Sequence, residues 1–117
     1  VNAHPSCLFC RIVAGEIPAA KVFEDDRLLA FRDIQPQAPF HVLVVPKAHI
    51  STLNDITEPT APVVGDLLRR AAALAAAHGY AERGYRAVIN CNADGGQTVF
   101  HLHVHLLAGR GLGWPPG

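Results

Sequence analysis

Apolar residues fall into two kinds of spacing along this chain. At 21–24, 27–33, 41–46, 85–91 and 99–108 they alternate with polar residues or follow one another in short β-branched runs, which predicts five strands. Between Thr60 and His78, Val64, Leu67, Leu68, Ala71, Leu74 and Ala75 recur at helical spacing instead, which predicts one long helix with a single apolar stripe. Thr60 is placed to cap that helix, Pro62 fits its first turn and Gly79 is placed to end it. A shorter amphipathic piece from Cys7 to Glu16 stops at Gly15 and Pro18. Pro36 and Pro39 extend the loop between Asp33 and His41, and Asp94-Gly95-Gly96 reads as a turn before the last strand. Strands joined by short connections, with helix to cover them, imply an α+β antiparallel sheet within one domain spanning 1–117.

Composition narrows the function. Half of the residues are hydrophobic and 17% are charged, which suits a globular chain with its own core. Formal net charge is zero and no basic cluster stands out, so a nucleic-acid partner is not expected, and any anion is held by local donors in a pocket. No apolar run approaches a membrane span and no leader is visible, so no membrane partner is expected. Three cysteines make no disulfide framework, and a cytoplasmic, reducing setting is the expected location.

The densest chemistry lies at His101-Leu-His103-Val-His105. On a strand these imidazoles share one face at a spacing of about 6.5 Å, while Leu102, Val104 and Leu106 enter the core from the other. Imidazole is base, acid, nucleophile or metal ligand near neutral pH, and folding alone does not call for a row of them. Directly before it, Gly96, Gln97 and Thr98 offer backbone and side-chain donors to a phosphate, although a plain turn accounts for the glycines equally well. Asp33 is placed to accept from ribose hydroxyls, with Phe31 and Ile34 to flank a base. Cys7 and Cys10, with His49 and a histidine of the row, have the composition of a tetrahedral zinc set. A redox Cys-x-x-Cys is the rival and two unrelated cysteines the plain alternative. Cys91 reads as a small buried hydrophobe and His4 and His78 as surface residues. Asn90 can orient a ligand or satisfy backbone groups, and Trp114 sits on the stiff Pro115-Pro116 arm.

The row His101-Leu-His103-Val-His105-Leu-Leu is the alternating pattern that names the histidine triad superfamily. Ile17-Pro-Ala, Phe23-Glu-Asp-Asp-Arg27, the run from Ala30 to Pro39, Val45 to Ile50, Gly84-Tyr-Arg, Asp94-Gly-Gly-Gln97 and the terminal Trp114-Pro-Pro-Gly resemble the nucleotide-binding Hint branch along nearly the whole chain.

The resemblance implies a five-stranded antiparallel sheet with one long and one short helix, extended across a homodimer. It implies hydrolysis of purine nucleoside phosphoramidates at their P–N bond, and of aminoacyl-adenylates, with release of AMP. His103 matches the nucleophile, and His105 and His41 its companions at the phosphate. Asn90, Gly96, Gln97 and Thr98 match the phosphate site, Asp33 the ribose-binding acid, and Leu8, Phe9, Phe31, Ile34 and Leu43 the base pocket. The Trp114 segment matches one that reaches toward the neighbouring subunit's site. Many Hint proteins lack the Cys7/Cys10 pair. A microbial subset carries it with one structural zinc per subunit, whose other ligands correspond to His49 and His101, and His101 is then a metal ligand beside the catalytic pair. A dinucleoside polyphosphate hydrolase, or a nucleotide-binding regulator with incidental catalysis, is the alternative function.

Overall fold

The computed structural model describes residues 4–117. In chain order its elements are α1 (Leu8–Val13), β1 (Lys21–Glu24), β2 (Leu28–Arg32), β3 (Phe40–Pro46), α2 (Ala61–Ala77), β4 (Arg86–Val88), α3 (Asn92–Gly95) and β5 (Val104–Ala108), with a 3-10 turn at Leu53–Asp55. The strands form one antiparallel sheet in the order β1-β2-β3-β5-β4. No helix among the described residues is long and apolar enough to cross a membrane.

The sheet is buried on both faces at its centre, which is why β3 reads as an unbroken apolar run. On one face, Val42, Val44, Leu102, Val104 and Leu106 pack against Leu67, Ala71 and Ala75 of α2. On the other, Leu29, Phe31, Leu43 and Val45 pack against Phe9 and Ile12 of the short α1. The alternation through 101–108 thus sorts the histidines onto the α1 face and the aliphatic side chains onto the α2 face.

Several local expectations change. The strand expected from Val99 pairs only from Val104, so His101 and His103 lie in the extended segment leading into β5 and His105 within it. The strand expected over 85–91 is limited to Arg86–Val88. Thr60 makes no side-chain cap on α2, because its hydroxyl is engaged with Thr57 one turn earlier. Leu68 stays 42% exposed, so the buried stripe runs through Leu67, Ala71, Leu74 and Ala75 without it. The Asp94-Gly95 turn closes as one helical turn, and Gly96 ends it with φ of 85°. Cys91 is half-buried rather than enclosed.

Gly109, just past β5, has φ of 100°, and a Cβ there would stand 2.9 Å from Cβ of Pro39. Glycine is what lets the end of β5 lie against the proline loop that delivers His41.

Candidate active site and metal-ligand set

β3 and β5 set the candidate histidine side chains by register. Leu43 faces His105 and His41 faces Leu107, so His41 and His105 are diagonal neighbours on the same face. Their rings meet, with Nε2 of His41 2.9 Å from Nδ1 of His105. The main-chain N–H of Gln37 donates to Nδ1 of His41 at 3.0 Å. That bond makes Nδ1 an acceptor, so in neutral His41 the proton sits on Nε2 and is donated to His105. Neutral His105 then carries its own proton on Nε2. Oδ2 of Asp33 lies 3.4 Å from the same His41 nitrogen.

The same bookkeeping opposes a metal ion among Asp33, His41 and His105, although their donor atoms lie within 4.8 Å of one another. Nε2 of His41 has no lone pair to offer while Gln37 holds Nδ1. This trio is arranged to hold and pass a proton rather than a metal ion.

His103 is fixed by the chain itself. Its Nδ1–H donates to the carbonyl of His101 at 2.7 Å, which leaves a lone pair on Nε2. His103 and His105 both line a cavity of about 380 Å³, with ring centres 4.9 Å apart. Leu8, Phe9, Phe31 and Leu43 supply its apolar wall, Asp33, His41 and Thr98 its polar side, and Ile34 its rim, 94% exposed. Ile12, Ile17 and Gln37 also line it and were not expected there; Ile17 and Gln37 fall in stretches that carry the family resemblance, but as generic apolar or amide residues they show no chemistry that marks them as lining.

Burial lowers the pKa of every histidine here. It is the largest cause for His103, opposed by the bond to His101 and the charge of Asp33. It is also the largest for His41, again opposed by Asp33. His105 is pushed down to about 4 by burial and then by its neighbours His103 and His41. Near neutral pH the free site therefore holds neutral imidazoles, as a nucleophile requires.

Asn90, Gly96, Gln97 and Trp114 do not line this cavity. Gln97 is buried and ties the loop together: its amide donates to the carbonyls of Ser51 and Val99 and accepts from the N–H of Asn92. The backbone N–H groups of Gly96 and Gln97 bond back to Ala93 and Asn92. Trp114 is 82% exposed on its arm, whose preceding carbonyls at Leu112 and Gly113 accept from Arg86.

His101 turns away from the cavity. It is fully buried, and its Nε2–H donates to the carbonyl of Pro46 at 2.7 Å. Its free Nδ1 lies 3.3 Å from Sγ of Cys7 and 3.5 Å from Sγ of Cys10. Nδ1 of His49 stands 3.3 Å from Sγ of Cys10, and its Nε2 meets the Ser51 hydroxyl at 3.1 Å. Two sulfurs and two imidazole nitrogens, all within 4.8 Å of one another, form a Cys2His2 set suited to a metal ion. The chemistry fits: burial pushes the Cys10 thiol up, a penalty that a bound cation would remove, and His101 and His49 are each oriented by a partner on the far ring nitrogen. Ser51 and His4, whose ring stacks on His49 at 3.9 Å, complete this shell and were not among the expected residues.

Comparison with known proteins agrees with this geometry. The HIT domain model matches residues 14–112. The purine nucleoside phosphoramidase of Escherichia coli is 46% identical over 106 residues, covering 91% of this chain and 89% of that protein. A HIT family hydrolase from Legionella pneumophila superposes with a TM-score of 0.94 at 55% identity, covering 96% of this chain and all of that one. A zinc-bound histidine triad family protein from Mycobacterium smegmatis superposes at 0.77 with 37% identity, covering 90% of this chain and 76% of that one. Sequence pattern, sheet order and the match over most of the chain lead to one conclusion: this protein belongs to the HIT domain family.

Proposed function

We propose that this protein is a purine nucleoside phosphoramidase that cleaves the P–N bond of adenosine 5′-phosphoramidate, and the bond from phosphorus to the acyl oxygen in aminoacyl-adenylates, through a nucleotidyl–His103 intermediate. The observation that carries the reading is the 2.7 Å bond from His103 Nδ1 to the His101 carbonyl, which leaves Nε2 as a free lone pair at the cavity. The apolar wall of Leu8, Phe9, Phe31 and Leu43 suits a purine, and Asp33 suits the ribose hydroxyls.

In the first step Nε2 of His103 attacks the α-phosphorus, the P–N bond breaks, and the amine leaves with a proton. That proton comes from the His41–His105 pair, which holds one extra proton in the reactive state, favoured by Asp33 and by the substrate's own negative charge. In the second step water attacks the phosphorus, its proton returns to the pair, and AMP leaves His103. Thr98 and the histidine N–H groups line the same cavity and are donors suited to the developing phosphoryl charge.

Zinc suits Cys7, Cys10, His49 and His101, where it would brace α1 against the histidine segment. β4 lies at the edge of the sheet and leaves a row of backbone groups open to pairing, which supports a homodimer with a continuous sheet. In such a dimer the exposed Trp114 arm is free to reach the other subunit's cavity.

The test is AMP release from adenosine 5′-phosphoramidate and from diadenosine polyphosphate, with wild type and His103→Ala. Phosphoramidate turnover that vanishes in the variant is the expected result. Preference for the dinucleotide would move the protein to a P–O hydrolase. AMP binding with no turnover of either would make it a binding module.

A further inference from the structure

The metal-ligand set and the cavity share one turn of chain. Cys7 and Cys10 face the metal set, and the two residues between them, Leu8 and Phe9, line the cavity. Phe9 is buried, and its ring stands edge-on to three others: His101 at 5.9 Å, His103 at 5.1 Å and Phe31 at 5.4 Å. One of those rings is a metal ligand, one the proposed nucleophile, one the base wall. A second connection runs through the main chain, since the residue whose Nδ1 faces the sulfurs also supplies the carbonyl that holds His103.

A six-residue helix such as α1 does not persist on its own; it needs anchors at its ends and under its apolar face. Its N-terminal anchor is Cys7, whose sulfur accepts from the N–H of Cys10. A cation held by both sulfurs would fix the turn from one side. A base pressed against Leu8 and Phe9 would fix it from the other. Whichever arrives first bears the cost of ordering the turn, and the second binds to a turn already ordered.

We infer that metal occupancy and nucleotide occupancy are coupled through this turn, each raising the affinity of the other, with Phe9 as the positioning residue that links them. The inference rests on reading the cavity as a nucleotide site. Coupling of binding free energies is reciprocal, so it is measurable from the metal side without any turnover.

The experiment lets zinc-loaded protein reach equilibrium with a chromophoric chelator of comparable zinc affinity, with and without saturating AMP. AMP binding to the same sample is titrated separately. AMP should lower the zinc Kd read from the competition about fivefold or more, within the usual range of coupling energies. The weak affinity of AMP itself for zinc acts in the opposite direction. Phe9→Ala keeps all four metal ligands and should shrink the effect below about twofold at an AMP concentration that saturates the variant. Phe9→Leu, which keeps most of the volume but loses the ring edge, takes its place if the alanine variant does not fold. An unchanged zinc Kd despite bound AMP overturns the coupling and leaves the nucleotide reading standing, and a full shift of the zinc Kd in the Phe9 variant overturns the link. Failure of AMP to bind at all defeats the nucleotide reading and the inference with it.

Discussion

His103 donates from Nδ1 to the carbonyl of His101 at 2.7 Å, so the main chain selects which ring nitrogen of His103 meets the cavity. No side-chain substitution at 101 removes that acceptor. Replacing the ring itself does remove the proposed nucleophile, and His103→Ala should lower kcat/KM for a phosphoramidate by at least about 10³-fold. AMP affinity should change far less, because the apolar wall and Asp33 are untouched. Steady-state rates beside calorimetric titration with AMP separate the two effects.

The 2.9 Å contact between His41 and His105 predicts a dependence on the leaving group. If the pair delivers the proton to the departing amine, His41→Ala should cost on the order of 10²–10⁴-fold with an alkylamine substrate. A substrate that releases an acidic phenol needs no such proton and should lose much less. Equal losses for both would assign His41 to phosphate binding alone.

The sheet and its two buried faces are legible from alternation because Leu102, Val104 and Leu106 repeat at the strand period and β3 is apolar from Val42 to Pro46. Histidines 101, 103 and 105 are legible as a site for the same reason. What spacing does not carry is the meeting of Cys7 and Cys10 with residues about 40 and 90 positions away, which depends on α1 crossing the sheet face. Composition alone offers Cys7, Cys10, His49 and one histidine of the row as a zinc set, and only the family resemblance singles out His101. Leu68 fits the helical period as well as Leu67 does, and only the tilt of α2 on the sheet decides which is covered. Gln97 looks like a ligand donor in sequence, but its amide is spent on Ser51, Val99 and Asn92.

Acid should destabilise the fold in a defined window. Burial and the neighbouring histidines hold His105 near 4 in the folded chain, against about 6.5 when unfolded. Between those values the unfolded chain binds a proton that the folded chain refuses, so stability falls as pH drops from about 6.5 to about 4 and is level above that window. For His105 alone the loss is on the order of 3 kcal/mol. Melting temperatures of wild type and His105→Asn across this window test it. The variant's curve should be flatter, and parallel curves would refute the assignment.

Metal removal should act on stability and affinity before it acts on chemistry. Zinc at about 100 times its Kd contributes about 2.7 kcal/mol. At about 4–8 °C per kcal/mol for a domain of this size, stripping it should lower Tm on the order of 10 °C. The nucleophile's own anchor, the His101 carbonyl, is main chain and survives. KM should therefore rise while kcat of the remaining folded protein changes little, and Cys10→Ser should reproduce both effects without a chelator. An unchanged Tm in the stripped protein would show that the Cys2His2 set is not a structural metal site.

Gly109 and Pro39 supply a stability test that reaches the site from outside it. Alanine at 109 meets two separate costs, a φ of 100° that disfavours any Cβ and a 2.9 Å approach to Pro39. The first alone is about 1–2 kcal/mol. The second is relieved either by strain or by retreat of the loop that carries Gln37 and His41. Gly109→Ala should therefore lower the denaturation midpoint and weaken the His41–His105 contact, lowering kcat with little change in AMP affinity. Pro39→Gly removes the atoms struck but not the φ penalty, so combining the two substitutions should restore part of the stability and most of the kcat lost in Gly109→Ala. Strict additivity in that cycle would mean that the loop yields without cost and that Gly109 serves only the turn.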